Sequence, residues 1–171
     1  MERTGLIEFK GKDAPVVGPD ITVGQLAPEF HAHTLEWKLI PVLESTKGKT
    51  RIIASLPSLE TSVCDRETRR FNQEAANLSK EIGVLVVSMD LPYTQARWCG
   101  AAGIDQVMVL SDHFMAEFGE KYGCLMKDQR ILRRAIFVVN SKGLVTYAAY
   151  MPAMGNEPDY DEVIKAAKAS L

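Results

Sequence analysis

Eight residues, Pro57-Ser58-Leu59-Glu60-Thr61-Ser62-Val63-Cys64, are where this sequence is best equipped for chemistry. A cysteine acts as a nucleophile through its thiolate, and a site rich in free backbone N–H groups favours that form. The flanking residues build such a site. Ile52-Ile53-Ala54-Ser55-Leu56 reads as a buried strand leading into the segment. Beyond it Phe71, Ala75 and Leu78 recur at helical spacing, and Cys64 falls on their inward face. Thr61 and Ser62 are candidate N-caps, while Asp65 and Glu67 suit a first turn. Cys64 is therefore expected in the first turn of a helix at the top of a strand, where unpaired amides and the positive end of the helix dipole favour an anion. Asp65 and Glu67 oppose that charge, and Arg66, Arg69 and Arg70 offset them. The competing reading makes Cys64 a small buried hydrophobe, the common fate of a cysteine.

A second cysteine lies in Arg97-Trp98-Cys99-Gly100. Its helix is short, and Gly100 weakens it by about 1 kcal/mol relative to alanine, so the segment can open locally at low cost. A disulfide needs Cα atoms about 4.4–6.8 Å apart. Cysteines on two helices seldom start so close, and local unfolding offers a route. Spacing alone leaves Cys99 open between that role and a packed side chain beside Trp98. Cys124, between Gly123 and Leu125-Met126, reads as buried core. His31 and His33 alternate on one strand face, but no third ligand stands at a recognisable spacing, so no metal site is assigned.

These residues need a frame, and hydrophobic periodicity outlines one. Leu6–Lys10 and Pro15–Gly18 flank Gly11-Lys12-Asp13 and read as an N-terminal hairpin. Phe30–His33 suits a short strand. The strand at 51–56 is followed by a helix from about Cys64 to Lys80. Ile82–Met89, apolar throughout, suits a central strand covered on both faces. A helix over 94–102 stopped by Gly103, a strand at 107–110 and a helix from Phe114 to near Gly123 come next. Ala135–Val139 and Leu144–Ala148 flank the turn Asn140-Ser141-Lys142-Gly143, and Asp159–Ser170 closes the chain as a helix with Val163, Ile164 and Ala167 on its apolar stripe. Alternating strands and helices predict an α/β, thioredoxin-like three-layer sandwich with an N-terminal β-hairpin, one domain over 1–171.

Composition fits an ordinary globular protein, with 46% hydrophobic and 25% charged residues. A net charge of −2 gives no reason to expect nucleic acid or an anionic membrane as partner. The first residues lack the apolar core of a secretion signal, and no apolar run is long enough to span a bilayer. An odd cysteine count argues against full structural pairing. A reducing cytoplasm is the expected compartment.

With these residues in place, the stretch from Pro57 to Cys64 resembles the Pro-x-x-x-Thr-x-x-Cys site of the peroxiredoxins, in their atypical two-cysteine, thiol peroxidase branch. Further likeness lies in Thr68-Arg69-Arg70-Phe71-Asn72, Ser88-Met89-Asp90-Leu91-Pro92, Arg97-Trp98-Cys99 and Leu110-Ser111-Asp112-His113. Glu60 stands where the family pattern has aspartate, Cys124 is no family hallmark, and 31–45 matches poorly. The resemblance implies that Cys64 is the peroxidatic cysteine and Cys99 the resolving one, joined in turn by an intramolecular disulfide. It implies that Thr61 orients the peroxide, Arg134 stabilises negative charge and Pro57 shields the sulfur from water. It implies thioredoxin as reductant, a homodimer, hydrogen peroxide and organic hydroperoxides as substrates, and no metal or organic cofactor. Two other readings stay open: a one-cysteine peroxidase with Cys99 structural, and a thioredoxin-like interaction module without turnover. Without the resemblance, Thr61 is a helix cap and Arg134 a solvated surface charge.

Overall fold

The runs Ile52-Ile53-Ala54, Val84–Val87 and Ile136–Val139 are apolar at every position, so strands built from them must be covered on both faces. The computed structural model, which describes residues 1–171, covers them with five helices. The N-terminal strands are β1 (Glu2–Arg3), β2 (Glu8–Phe9), β3 (Lys12–Asp13) and β4 (Val16–Val17). β5 (His31–His33), β6 (Leu39–Pro41) and the one-turn α1 (Val42–Ser45) lead to β7 (Thr50–Ser55). Then come α2 (Ser62–Asn77), β8 (Ile82–Ser88), α3 (Pro92–Ala102), β9 (Met108–Ser111) and α4 (Glu117–Lys121). β10 (Leu125–Met126), β11 (Ile131–Leu132), β12 (Ala135–Val139), β13 (Val145–Tyr150) and α5 (Tyr160–Ala169) complete the chain.

Seven strands form the main sheet in the order β13-β12-β7-β8-β9-β5-β6. β7, β8 and β9 are parallel, with α2 and α3 as crossovers. β12 and β13 add an antiparallel pair on one side, β5 and β6 on the other. This is the thioredoxin-like α/β arrangement that the element order predicts. The two-residue period sorts side chains between the faces. Ile53, Leu85, Val87, Phe137 and Val139 meet Phe30, Phe118 and Tyr122 on one side. Ile52, Ala54, Val84, Val86, Ile136 and Val138 meet Phe71, Trp98 and Val163 on the other, beneath α2, α3 and α5. Cys64 and Cys99 both belong to this second cluster. Each fully buried side chain of this size stabilises the fold by about 1.5–3 kcal/mol.

The N-terminus departs from expectation. β2 and β3 form the hairpin around Lys10-Gly11, but it is only two residues deep. Val16–Val17 does not pair with Leu6–Lys10. It pairs with β1 and β10, which with β11 make a separate four-stranded sheet. Helix ends also shift. α2 stops at Asn77 because Leu78 turns extended, and α4 begins only at Glu117 because Ala116 adopts φ 54°. α3 opens on Pro92 at its first position and closes on Gly103 in the left-handed region. Gly18, at φ 90°, lies so close to α4 that a Cβ there would sit 1.7 Å from the Glu120 carbonyl oxygen. No helix is long and apolar enough to cross a membrane.

Candidate active site

β7 ends at Ser55, and the chain passes through buried Leu56, Pro57 and Leu59 into α2. Asp90, just past β8, holds this turn. Its carboxylate accepts from the Ser58 hydroxyl at 2.7 Å and from the Leu59 amide at 2.9 Å. Thr61 is the N-cap residue by backbone angle, yet its side chain does not cap the helix. Its hydroxyl instead donates to the Ser58 carbonyl at 3.0 Å, and the residue stays exposed. Ser62, Val63 and Cys64 are the first three helical positions, whose N–H groups have no acceptor within the helix. A surface cavity of about 360 Å³ opens here, with Leu59, Thr61, Asp65 and Trp98 among its walls.

Cys64 itself has no exposed area. The Arg134 Nη2 donates to its sulfur at 3.2 Å. Sheet register explains the meeting. Ala135 pairs with Ser55, so the residue before β12 arrives beside the end of β7. Alternation sends its neighbour elsewhere. Arg133 donates to the Gly123 carbonyl at 2.8 Å, pairs with Asp20 and lies 4.1 Å over the Tyr150 ring. Arg134 is the bulkiest fully buried side chain of the protein, not a solvated surface charge. Its Nη1 pairs with Glu67, and Nη2 also reaches the Met154 carbonyl at 3.2 Å. Burial opposes its charge, but the Glu67 carboxylate and the Cys64 sulfur more than offset that and raise its pKa.

Glu67 is the residue that sequence reasoning misplaced. The sequence suggests a first-turn acid; Glu67 instead lies in the second turn of α2 and is fully buried. It lies three residues after Cys64, hence on the same inward face, and that spacing was the available signal. Burial pushes its carboxyl up to about 7, against the pull of the Arg134 guanidinium.

Cys99 is buried in α3, and burial raises its thiol. All three cysteines are free thiols. The start of α3 is pinned to the sheet by buried Gln95, whose Nε2 donates to the Ser88 hydroxyl at 3.1 Å and to the Leu110 carbonyl at 2.9 Å. Cys124 belongs to the opposite core cluster and burial lifts its thiol to about 12. His31 bonds Glu117 at 3.0 Å, while His33 stacks on His113 with ring centroids 5.1 Å apart. The two histidines therefore serve separate contacts.

Comparison with known proteins places this geometry in context. Residues 23–148 match the AhpC/TSA family. The chain is 47% identical to a thiol peroxidase of Halalkalibacterium halodurans, over 96% of this chain and 98% of that one. It is 48% identical to a thiol peroxidase of Bacillus subtilis, over 95% and 96% of the two chains. The crystal structure of a peroxiredoxin-like protein from Aquifex aeolicus superposes with a TM-score of 0.87 at 36% identity, covering 99% of this chain and 98% of that one. A thiol peroxidase from Chromobacterium violaceum, 22% identical, shares the fold with a TM-score of 0.82 over 95% of each chain.

Proposed function

Since the chain belongs to the AhpC/TSA family and is a thiol-dependent peroxidase of the peroxiredoxin kind, we propose that it reduces hydrogen peroxide and organic hydroperoxides through Cys64 and Cys99. The Cys64 thiolate attacks one peroxide oxygen. The O–O bond breaks, the departing oxygen takes a proton and leaves as water or alcohol, and Cys64 becomes a sulfenic acid. The Cys99 sulfur, having lost its proton, then attacks the Cys64 sulfur. An S–S bond forms, the S–O bond breaks, and the hydroxyl leaves as water. A thioredoxin dithiol reduces the disulfide by exchange and is itself oxidised.

The observation that carries this reading is the Arg134 guanidinium 3.2 Å from the Cys64 sulfur, in the first turn of α2. A fixed positive group there stabilises both the thiolate and the charge growing on the departing oxygen. Glu67 and the Met154 carbonyl orient the guanidinium. The exposed Thr61 hydroxyl can turn to a peroxide, and buried Pro57 keeps water from the sulfur. Exposed Trp37, Tyr93 and Phe114 gather around the stacked His33–His113 pair, and this aromatic patch supports a homodimer through it. Three free thiols suit a reducing cytoplasm.

The test is peroxide-dependent NADPH consumption with thioredoxin and its reductase. Turnover is expected for the wild type and lost in Cys64→Ser; a fully active Cys64→Ser protein refutes the mechanism. The burial of Cys99 favours a second reading, a one-cysteine peroxidase. Mass spectrometry after one equivalent of peroxide separates the two. A Cys64–Cys99 linkage supports the first, and a lasting sulfenic acid the second.

A further inference from the structure

Cys99 is a buried free thiol in α3, and core packing together with a set of polar contacts holds the end of that helix against α2. The central one joins the residue after Cys64 to the residue before Cys99. Trp98 Nε1 donates to Asp65 Oδ1 at 3.1 Å. Arg69 braces both partners. Its Nε donates to Asp65 Oδ2 at 2.9 Å, its guanidinium lies 5.7 Å over the Trp98 ring, and Nη1 reaches the Ala102 carbonyl at 3.4 Å. Trp98 is 7% exposed, so its indole N–H is desolvated wherever α3 is docked and needs this acceptor. α3 itself resists little. No side chain caps its start, and Gly100 stands exposed inside it. None of these groups hydrogen-bonds to the Cys64 sulfur or to Arg134.

We propose that Asp65 and Trp98, braced by Arg69, form a latch that sets the rate of disulfide formation. The proposal rests on the Cys64–Cys99 reaction above. While the latch is closed, Cys64 keeps its first-turn geometry and meets peroxide. When it opens, the last turns of α3 unwind and Cys99 attacks the sulfenic acid, forming the S–S bond and releasing water. A tight latch lengthens the life of the sulfenic acid, and a second peroxide can then oxidise it to sulfinic acid. Asp65 and Trp98 are thus positioning residues that partition Cys64 between the disulfide and overoxidation.

The experiment uses the full chain and three variants, Asp65→Ala, Trp98→Phe and Asp65→Ala/Trp98→Phe. Rapid quench after one equivalent of hydrogen peroxide, read by mass spectrometry, separates loss of the free Cys64 thiol from gain of the disulfide. Removing a hydrogen bond to a charged group is expected to speed the disulfide step roughly 10- to 100-fold. Loss of the Cys64 thiol is followed in the same samples and separates the disulfide step from any change in the peroxide step, since Asp65 and Trp98 also wall the cavity beside Cys64. The double variant should be no faster than either single one, because one interaction has been removed in all three. Hydrogen exchange should quicken at the amides of 98–102 and not in β7 or β8. With excess peroxide, each variant should accumulate less sulfinic acid than the wild type. Equal disulfide rates in wild type and variants overturn the latch and leave the two-cysteine reaction standing. Additive accelerations overturn it too, because they indicate general loosening. No Cys64–Cys99 disulfide in the wild type overturns both proposals.

Discussion

Replacing Arg134 is the sharpest test of how the site activates sulfur. At 3.2 Å, with an effective dielectric constant of about 20, the attraction between guanidinium and thiolate is about 5 kcal/mol, which is a ceiling. The share that acts on the transition state is smaller, because the same charge also stabilises the waiting thiolate. Fixed donors aimed at developing charge contribute about 2.7–4 kcal/mol, or roughly 100- to 1000-fold in rate. Arg134→Met keeps the apolar stem and removes the charge. It also strands the buried Glu67 carboxyl, at a cost in stability of about 3–5 kcal/mol. Glu67→Gln/Arg134→Met removes both charges together and should recover much of that loss in urea unfolding. Stopped-flow tryptophan fluorescence with hydrogen peroxide at neutral pH, on samples shown folded by circular dichroism, gives the rate of Cys64 oxidation. Both variants should be slower by roughly 100- to 1000-fold. A double variant that folds and oxidises within about a factor of three of the wild type, roughly 0.7 kcal/mol, refutes the electrostatic role.

Thr61→Val should slow Cys64 oxidation roughly 10- to 100-fold, the value of a hydrogen bond to a charged group, while the exposed position leaves the urea midpoint almost unmoved; an unchanged rate removes Thr61 from the site. Gly18→Ala should cost about 3 kcal/mol or more, since φ 90° is strained for alanine and the methyl meets the Glu120 carbonyl at 1.7 Å; a wild-type urea midpoint would contradict that contact. Burial pushes the Asp112 carboxyl up to about 7, so the folded chain keeps a proton that the unfolded chain releases nearer pH 4. Stability should therefore fall as pH rises through that window, by up to about 4 kcal/mol, and Asp112→Asn should flatten the fall; identical pH slopes for the two proteins in urea titrations would exclude Asp112 as its source.

Much of the frame is legible because it is periodic. Ile52 to Ala54, Val84 to Val87 and Ile136 to Val139 announce a doubly covered sheet, and the spacing of Cys64 to Phe71 places the cysteine on the inner face of α2. The two-residue strands β1, β4, β10 and β11 are too short for alternation to register, so the second sheet was invisible. Composition alone makes Arg134 and Glu67 surface charges. Only the pairing of β12 beside β7, a contact between residues far apart in sequence, shows that each supplies the other's counter-charge in the interior. Asp90 escaped for a related reason, since its acceptor role for Ser58 and Leu59 depends on two strands lying side by side.

The pinning of Gln95 to Ser88 and Leu110 makes the latter part of α3 a short tether. Cys99 lies four residues beyond that anchor, so a fully stretched chain carries it no farther than about 14 Å from the residue 95 backbone. A thiol confined to so small a volume is present, from the viewpoint of its target, at an effective concentration of at least the millimolar order. Under the two-cysteine reaction proposed above, small thiols dissolved around the protein would have to match that figure to compete for an oxidised Cys64, which gives capture from within the advantage before any difference in nucleophilicity is counted.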